Sequence, residues 1–474
     1  MSTVNMFNSG KSALFASKAA LTTTGHNIAN VNTEGYSRQR IEQTAADPHS
    51  SIGSGVYGTG VKVQKIIRIN DEYLDRQIAK EQKYLGSYEE KDFALGQAES
   101  VFNELNNEGL NRLMANFFNE FRKLGNQPEN EALRVTVREA TEQLSGDFRR
   151  ISRSLKEIQR NIDNRIDSNT KQGNELIRRI AHLNDEIKRM EVSGAESGDL
   201  RDKRDIAVKE LSTIVDCSVS TNDKGEFTIA LSGIGPLVSG NQYNEFAVET
   251  SKSNSNTGKP EGSYEVLLKG YDPSRITNRL GGKGRLGGLV EARDTDLGAA
   301  VRRLDELAYG LVGKVNEIHR MGYGLDGVTG RDYFSGLTQV DGSAEMIGLS
   351  DAVKESPFAI ATALDAGSPG DNRLVQYIVG LQYERTMANG NATFDDFYNA
   401  TVADLATVQA KNKQVFSHQK SITGQLQKFR ESISGVSIDE ETTNLIQYQH
   451  AFDAAAKVIK VADEILETVL NICR

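Results

Sequence analysis

The sequence is poor in the residues that mark several protein classes. Among its 474 residues there is no tryptophan, and the only cysteines are Cys217 and Cys473. Two isolated cysteines cannot form a disulfide framework, and their separation does not fit a metal-ligand motif. No apolar run is long enough to cross a bilayer, so no membrane span is predicted. The formal net charge of −9 argues against a nucleic-acid-binding surface, which requires a basic stripe.

Proline is also scarce, and its placement marks out two helical regions. The seven prolines leave residues 129–235 and 370–474 free of the strongest helix breaker. Apolar residues in alternating steps of four and three predict a helix from about residue 130 to residue 190, which would be about 90 Å long. The same stepping recurs at 405–433, with two polar residues on the seam, and Gly435 then interrupts it. A rod of long helices is therefore predicted.

Between the two helical regions the pattern changes to short alternating apolar runs. The apolar positions at 219, 227–231 and 266–268 are separated by turn-forming segments at 222–225 and 239–241 and by a polar loop at 251–263. Alternation of this kind with glycine- and asparagine-rich turns indicates β-hairpins. We predict a small β domain at residues 215–286 that projects from the rod as an insertion.

Both ends of the chain carry an apolar residue every seven positions. This spacing holds one seam of a helix against a partner helix, so it predicts packing between the termini and with other copies. The remaining seam positions near the N-terminus are mostly small, such as Gly10, Ser17 and Thr24. The predicted interface residues are Phe7, Leu14, Leu21 and Ile28 in the first series and Leu445, Phe452, Ile459 and Leu466 in the second.

An energy comparison indicates that the N-terminal arm needs a partner. Burying its four large seam residues contributes roughly 1.5–3 kcal/mol each. Ordering some thirty residues costs about 1–2 kcal/mol per residue in backbone entropy. We therefore expect the arm to be ordered only when it packs against something else.

The N-terminal composition also bears on export. Residues 1–33 contain no aspartate or glutamate, and their only cations besides His26 are Lys11 and Lys18. There is no continuous apolar stretch with a cleavage site, so a cleavable signal peptide is not predicted. Either the protein is cytosolic, or it leaves the cell by a route that reads an uncleaved N-terminus.

No group of residues assembles a catalytic or metal site. The glycine-rich string at 282–287 fits G-x-G-x-x-G, but no β-α-β alternation surrounds it, so it is interpreted as a flexible return from the β domain into a helix. Segment 326–332 lacks the ligand alternation of a calcium loop. The charged run at 199–205 is interpreted as a solvated helix start with local ion pairs. No two histidines have the spacing of a helical metal pair. No catalytic activity, cofactor or metal is predicted.

The segment after the first heptad series carries a recognisable motif. Residues 29–39 read ANVNTEGYSRQ. This string resembles the signature of flagellar rod, hook and hook-associated proteins, and its Ser-Arg-Gln continuation is similar to the proteins of the hook–filament junction. Gly35 suits a helix end, because glycine tolerates the left-handed conformation that turns the chain out of the helix. The residues that carry the resemblance are Asn30, Asn32, Thr33, Gly35, Tyr36, Ser37 and Arg38.

Other regions extend the resemblance over the whole chain. The string LRDKRD at 200–205 is similar to the family's helix that leads into its outer domain, and GGLVEARD at 287–294 is similar to the return. Residues 436–471 resemble the C-terminal signature of hook-associated and filament proteins.

The resemblance implies a mainly α fold with a small all-β insertion, in which both termini form a long helical bundle of the flagellin-like axial type. The expected domains are a terminal helical inner domain (1–36 with 437–474), a helical rod domain (37–214 with 287–436) and a β-rich outer domain (215–286).

The resemblance also implies a non-enzymatic structural component of the bacterial flagellum that forms the hook–filament junction by polymerising through its terminal helices. The implied partners are other copies, the hook protein, the next hook-associated protein and an export chaperone at the C-terminal segment. Export would follow the flagellar type III route. Another flagellar axial protein, a cytoplasmic coiled-coil scaffold and a nucleotide-binding enzyme built on residues 282–287 are the alternatives.

Overall fold

Long helices dominate the computed structural model, which describes residues 3–51, 55–102, 109–194, 196–221, 227–251, 262–270 and 274–472. The helices are α1 (Thr3–Ala29), α2 (Glu72–Phe102), α3 (Leu110–Asn126), α4 (Glu131–Met190), α5 (Gly198–Ile214), α6 (Gly284–Glu291), α7 (Gly298–His319), α8 (Ser343–Met346), α9 (Asp351–Glu355), α10 (Arg373–Gly380), α11 (Phe394–Ser434) and α12 (Ile438–Ile472). The mainly α fold predicted from the sequence is confirmed.

Helix α4 is the long helix predicted from the apolar stepping. It runs for 60 residues from Glu131, and the side chain of the preceding residue, Asn130, accepts hydrogen bonds from the amides of Ala132 and Leu133. Such an N-cap satisfies backbone donors that the first turn leaves free. The stepped residues, among them Leu144 and Phe148, are buried against the neighbouring helices. The helix therefore forms the spine of the rod.

Helices α2 and α11 pack antiparallel, with polar side chains between them. The side-chain amides of Gln409, Asn412 and Gln419 donate to the backbone carbonyls of Asp92, Tyr88 and Glu81, at distances of 3.5, 3.0 and 3.1 Å. Each backbone carbonyl oxygen has two lone pairs, so the α2 carbonyls can accept these additional hydrogen bonds. The three side-chain amides can therefore be buried with their donors satisfied.

Because polar side chains occupy the contact with α2, some apolar residues of the predicted seam lie outside that contact. Val408, Phe429 and Ile433 remain exposed on α11. The predicted break after this helix is confirmed, since α11 ends at Ser434 and α12 begins at Ile438.

The glycine-rich string forms a closely packed return. A Cβ on Gly284, which has φ of +69°, would lie 2.5 Å from the carbonyl oxygen of Ile214. A Cβ on Gly288 would lie 2.5 Å from the carbonyl oxygen of Ser87, where α6 crosses α2. The glycines thus allow backbones to approach, and the expectation of a flexible return was wrong.

The β insertion consists of two antiparallel sheets. Strands β5 (Cys217–Thr221), β6 (Phe227–Leu231), β7 (Gly235–Ser239) and β8 (Gln242–Tyr243) form one sheet in sequential order, and β9 (Phe246–Thr250), β10 (Tyr264–Leu268) and β11 (Ser274–Arg275) form the other. The predicted turn at 222–225 lies outside the described residues. The hairpin prediction is confirmed for the described strands.

This insertion lies along the rod instead of projecting from it. The Asn174 side chain of α4 accepts from the Phe246 amide and donates to the Phe246 carbonyl, at 2.8 and 2.9 Å. A Cβ on Gly173 would contact the Phe246 ring at 3.5 Å. Buried strand residues such as Ile229 and Val266 share one apolar core with the helices. This shared core explains why the insertion does not project.

A β-ribbon also interrupts the region assigned from the sequence to the helical rod. Strands β1 (Gln39–Ala45) and β4 (Val61–Arg68) pair antiparallel and lie against α1. Strands β2 (His49–Ser51) and β3 (Gly55–Tyr57) form a second pair. The rod at 37–214 is therefore not helical throughout. Apolar and polar side chains alternate along part of 61–68, which favours a strand. The domain assignment from the sequence did not use this alternation.

A lobe with little regular structure, residues 320–372, packs on α3 and α4. Arg134 is fully buried there, and it donates to the carbonyls of Pro128 and Ile360 and to the Thr362 hydroxyl. His319 lies between two backbone groups: Nδ1 is 2.8 Å from the Arg331 carbonyl, and Nε2 accepts from the Ala361 amide. Both side chains fix the path of the lobe.

The lobe is expected to lose stability in mild acid. Burial lowers the pKa of His319 to about 4. The unfolded chain takes up a proton near the ordinary histidine pKa of about 6.5, so the free energy of unfolding should fall as the pH drops from about 6.5 towards 4. Urea unfolding midpoints across this range measure the effect. His319→Gln removes the titrating group, so an equal pH dependence between 6.5 and 5 in that variant would contradict the assignment to His319.

Candidate functional site

The two terminal helices pack on each other in antiparallel orientation. Near one end of the pair, Asn27 donates to the Glu441 carboxylate at 3.0 Å. Near the other end, a Cβ added to Gly10 would lie 2.9 Å from Cγ1 of Ile459. Small residues form the contact, namely Gly10, Ala16, Ser17, Ala20 and Thr24 on α1 and Ala455 and Ala462 on α12. The backbones can therefore approach closely.

The predicted interface residues lie at the margins of this contact. Phe7 is exposed, with 37% of its surface accessible. The other seven are half-buried: Leu14, Leu21, Ile28, Leu445, Phe452, Ile459 and Leu466. Within one chain the small residues of the α1 seam form the contact with α12. The large seam residues keep accessible apolar surface, and their role as an interface between copies stays a prediction.

Further apolar side chains continue the exposed surface of the helix pair. Val4 and Phe15 on α1 are exposed, as are Ile446, Val458, Val461, Ile465 and Val469 on α12. Monomeric soluble proteins rarely leave a large contiguous apolar patch uncovered. The helix pair thus has the composition of a surface that binds protein.

The motif at 30–38 forms the exit from α1. Asn30 donates to the His26 carbonyl, and the Thr33 hydroxyl donates to Asn30 at 3.2 Å. Gly35 has φ of +75°, and a Cβ there would lie 2.6 Å from the Ile206 side chain. A non-glycine residue would therefore both strain the turn and collide with α5. Asn32 is exposed.

Tyr36 and Ser37 connect this exit turn to its surroundings. The Tyr36 hydroxyl donates to Oδ1 of Asn27 at 2.8 Å, which fixes the turn on α1. The amide and hydroxyl of Ser37 both donate to the Asp202 carboxylate of α5, each at 2.8 Å. Burial raises the pKa of the Tyr36 phenol, so it stays protonated as the donor. The motif thereby joins the terminal pair to the rod.

Arg68 completes the environment of Asp202. This buried guanidinium lies 3.0 Å from Asp202 and 2.6 Å from Asp205. Burial alone would lower the pKa of Arg68, but the two carboxylates outweigh that effect and raise it. Burial raises the pKa of Asp202 despite the hydrogen bonds from Ser37 and Arg68. The group is desolvated, and loss of Asp202 would leave Arg68 with Asp205 and the more distant Glu196 as its carboxylate partners.

Two more arginines tie the turn to the C-terminal region. Arg38 contacts Glu441 and Glu440 at the start of α12, each at 2.7 Å. Arg430, near the end of α11, donates to the Gly35 carbonyl and to the Ser37 hydroxyl. We call these residues the junction cluster: Asn27, Tyr36, Ser37, Arg38, Arg68, Asp202, Arg430 and Glu441. It joins α1, α12, α11, α5 and β4.

The interpretation of residues 199–205 as a solvated helix start was wrong. Asp202 and Arg204 are buried, and Arg204 lies over the Phe227 ring of β6 with its guanidinium carbon 3.8 Å from the ring centre. The motif predicted from the sequence includes Ser37 and Arg38 but not their partners, which are Asp202, Arg68, Arg430 and Glu441. The family-like string at 200–205 was the signal that could have suggested Asp202.

The chemistry of the junction cluster suits mechanical coupling. Its carboxylates are matched by arginine and amide donors, which favours a fixed geometry. Within the described ranges, no three or more histidine, cysteine, aspartate or glutamate side chains are grouped as a metal site would require. Likewise, the described part of the chain has no helix both long and apolar enough to span a membrane.

Family models match three parts of the chain. One described as the helical domain of flagellar hook-associated protein FlgK matches residues 95–334. A flagella basal body rod protein model matches residues 7–36, and a model of the C-terminal part of the flagellar basal body rod FlgEFG protein matches residues 430–472. The two shorter matches include most of α1 with its exit turn and the whole of α12.

Individual proteins match along nearly the whole chain. Flagellar hook-associated protein 1 of Bacillus subtilis is 30% identical, and the alignment covers 99% of this chain and 98% of the relative. Its counterpart in Salmonella typhimurium is 26% identical over 99% of this chain and its own full length. The solved flagellar hook junction protein FlgK from Burkholderia pseudomallei superimposes with a TM-score of 0.68 at 14% identity, over 76% of this chain and all of that one. That structure supports the fold alone.

Proposed function

The chain belongs to the flagellar hook-associated protein 1 family, and on that premise we propose that it is a structural component of the junction between the flagellar hook and filament. The observation that carries the proposal is the terminal helix pair, fixed to a long helical rod by the junction cluster. Such a molecule transmits load between neighbours, and we propose no catalytic activity for it.

We propose that assembly occurs through α1 and α12. Support comes from the apolar side chains that the pair leaves accessible, including Phe7, Phe15, Val461 and Ile465. The seven-residue repeats fit helical neighbours. The division into an inner domain (1–36 with 437–474), a rod (37–214 with 287–436) and a β-rich outer domain (215–286) is proposed as the functional organisation.

The neighbours are proposed from family membership. They are other copies of this chain, the hook protein on one side and the next hook-associated protein on the other. An export chaperone would bind the C-terminal segment before assembly. A different axial position in the flagellum is the second candidate, because family models of basal body rod proteins match both terminal regions.

Immunogold labelling of intact flagella tests the proposal. Labelling confined to a short zone between hook and filament is expected. Labelling along the basal-body rod of the flagellum or along the hook would favour the second candidate. Retention of all protein in the cytoplasm would favour a coiled-coil scaffold. Deletion of the gene should leave hooks without attached filaments.

A double substitution tests the terminal seam. Leu445→Asp with Ile459→Asp places charges on half-buried seam positions, so filament attachment should be lost while the rod stays folded. Electron microscopy counts attached filaments, and circular dichroism of the purified chain checks the rod. Gln449→Asp with Thr468→Asp is the matched control, since both positions are exposed on the same helix. Normal attachment in the first variant would contradict the proposed seam.

A further inference from the structure

We propose that a cleft between the rod and the β insertion binds a carboxylate group, with Arg204 as the residue that recognises it. The cleft lies among the start of α2, the end of α4, helix α5 and the first sheet of the insertion, and its volume is about 1060 Å³. Two observations carry the inference: a buried guanidinium without a hydrogen-bonded carboxylate, and a lining that combines apolar and charged side chains. The inference goes beyond the proposed function and does not depend on it.

Arg204 lines the cleft with most of its donors unused. The residue is 8% exposed, and one face of its guanidinium lies on the Phe227 ring. Its Nη1 donates to Oδ1 of Asn184 at 3.3 Å, whereas its Nε is buried without a hydrogen-bond partner. Within the described residues Nη2 has no hydrogen bond either. A guanidinium carries five N–H donors, so the pocket around Arg204 lacks acceptors.

The carboxylates near Arg204 are bound by other arginines. Asp205 lies 3.9 Å from Nε of Arg204, beyond hydrogen-bond distance, and Arg68 binds it at 2.6 Å. Glu191 accepts from Nε and Nη2 of Arg201 at 2.8 and 2.7 Å. Burial outweighs these neighbouring charges and lowers the pKa of Arg204 to about 10. An incoming carboxylate would supply the charged acceptor that the chain itself does not provide.

The lining of the cleft favours one carboxylate on an apolar stem. Basic and acidic side chains are nearly balanced there, six against five, so a dianion such as phosphate would be repelled by five carboxylates. A single carboxylate matches the planar guanidinium of Arg204. Apolar side chains from the helices and the sheet can contact the stem, namely Ile187, Val192, Val208, Val219 and Phe227. A concave site with apolar walls and a few polar groups is typical of ligand binding.

Two sources offer this chemistry. One is a free aliphatic carboxylate, and the other is a glutamate or aspartate side chain of a neighbouring subunit. Both place the same group against Arg204, so the first test measures carboxylate binding and a later measurement identifies the source.

Equilibrium titration of the purified full chain tests the site. Because the sequence contains no tryptophan, Phe227→Trp places a single indole against Arg204 as a fluorescent reporter. The probes are sodium butyrate and a blocked tripeptide with a central glutamate, and sodium chloride at equal ionic strength is the control titration. We expect a saturable fluorescence change with both probes and at least tenfold weaker binding of phosphate than of butyrate.

Substitution of Arg204 tests its role. Arg204→Met should weaken binding of both probes at least tenfold, because methionine keeps an apolar stem beside Phe227 but removes the donors. Lys203→Met is the matched control, since Lys203 is exposed on the same helix and lies outside the cleft lining. Without the tryptophan reporter, butyrate should raise the Tm of the parent chain and of the Lys203→Met variant above that in sodium chloride, but not the Tm of the Arg204→Met variant.

The outcomes are distinct. If neither probe binds saturably or raises the Tm, the inference is wrong. Equal binding by the Arg204→Met and Lys203→Met variants, both shown to be folded by circular dichroism, would also overturn it. Once binding is shown, filament attachment identifies the source. Fewer attached filaments in the Arg204→Met variant than in the Lys203→Met variant assign the carboxylate to a neighbouring subunit, and equal attachment assigns it to a free carboxylate.

Discussion

Asp202→Ala is expected to lower the free energy of unfolding by about 1–3 kcal/mol, the usual cost of leaving a buried donor without its acceptor. The Asp202 carboxylate accepts three hydrogen bonds, two from Ser37 and one from Arg68. Without it the Ser37 amide loses its acceptor, and the buried Arg68 keeps Asp205 as its closest carboxylate. Urea unfolding of the full chain measures the loss.

The same substitution should loosen the terminal helices before the rod unfolds. Ser37 is the point at which the exit turn of α1 is held on α5, so amide hydrogen exchange in α1 and α12 should accelerate more than exchange in α4. Asp199→Ala is the matched control, because Asp199 lies on the same helix, is largely exposed and accepts from Gln39. A loss of about 0–1 kcal/mol is expected there.

A double-mutant cycle with Ser37→Ala separates the two contributions. If Asp202 acts through the exit turn, the two substitutions should be strongly non-additive. Additive losses, or equal acceleration of exchange along the whole chain, would show that Asp202 supports only the rod.

The parts of the fold that could be predicted from sequence are those set by a long local pattern. Helix α4 keeps one period over 60 residues and starts at a capping asparagine, so both its existence and its beginning could be read. The break at Gly435 is equally local. The β1–β4 ribbon was missed because its alternation is short and mixed with charged residues on β4.

The junction cluster could be predicted only in part, because its contacts are distant in sequence. Ser37 and Asp202 are 165 positions apart, and Asn27 and Glu441 are 414 apart. Opposite charges occur throughout the chain, so composition does not indicate which carboxylate meets which arginine. The orientation of α11 was predicted in part: Asn412 and Gln419, the two polar residues on the predicted seam, do lie against α2. Val408 and Phe429 from the same stepping are exposed, because side-chain amides that bind the α2 carbonyls occupy the contact.

The close packing of the terminal helices at Gly10 predicts a second large effect. Gly10→Val should separate α1 from α12, because a Cβ at this position would lie 2.9 Å from Cγ1 of Ile459, 3.3 Å from Cγ1 of Val458 and 3.5 Å from the Ile459 amide nitrogen. The Cβ and the two methyl groups of valine would collide with these two side chains, which must then shift or push α12 away. Overpacking of this kind costs about 1–3 kcal/mol. Hydrogen exchange in both helices should accelerate by about tenfold or more, since 1.4 kcal/mol corresponds to a factor of ten.

Filament attachment should be lost in the Gly10→Val variant, because the proposed assembly surface is formed jointly by both helices. Gly25→Val is the matched control on the same helix, since a Cβ there has no atom within 4 Å. That control should change stability by only a few tenths of a kcal/mol, because valine is a slightly better helix former than glycine. Attachment counts and exchange rates of the two variants are compared side by side. If Gly10→Val assembles as well as Gly25→Val, close packing of α1 on α12 is not needed for assembly, and the larger seam residues must form the contact alone.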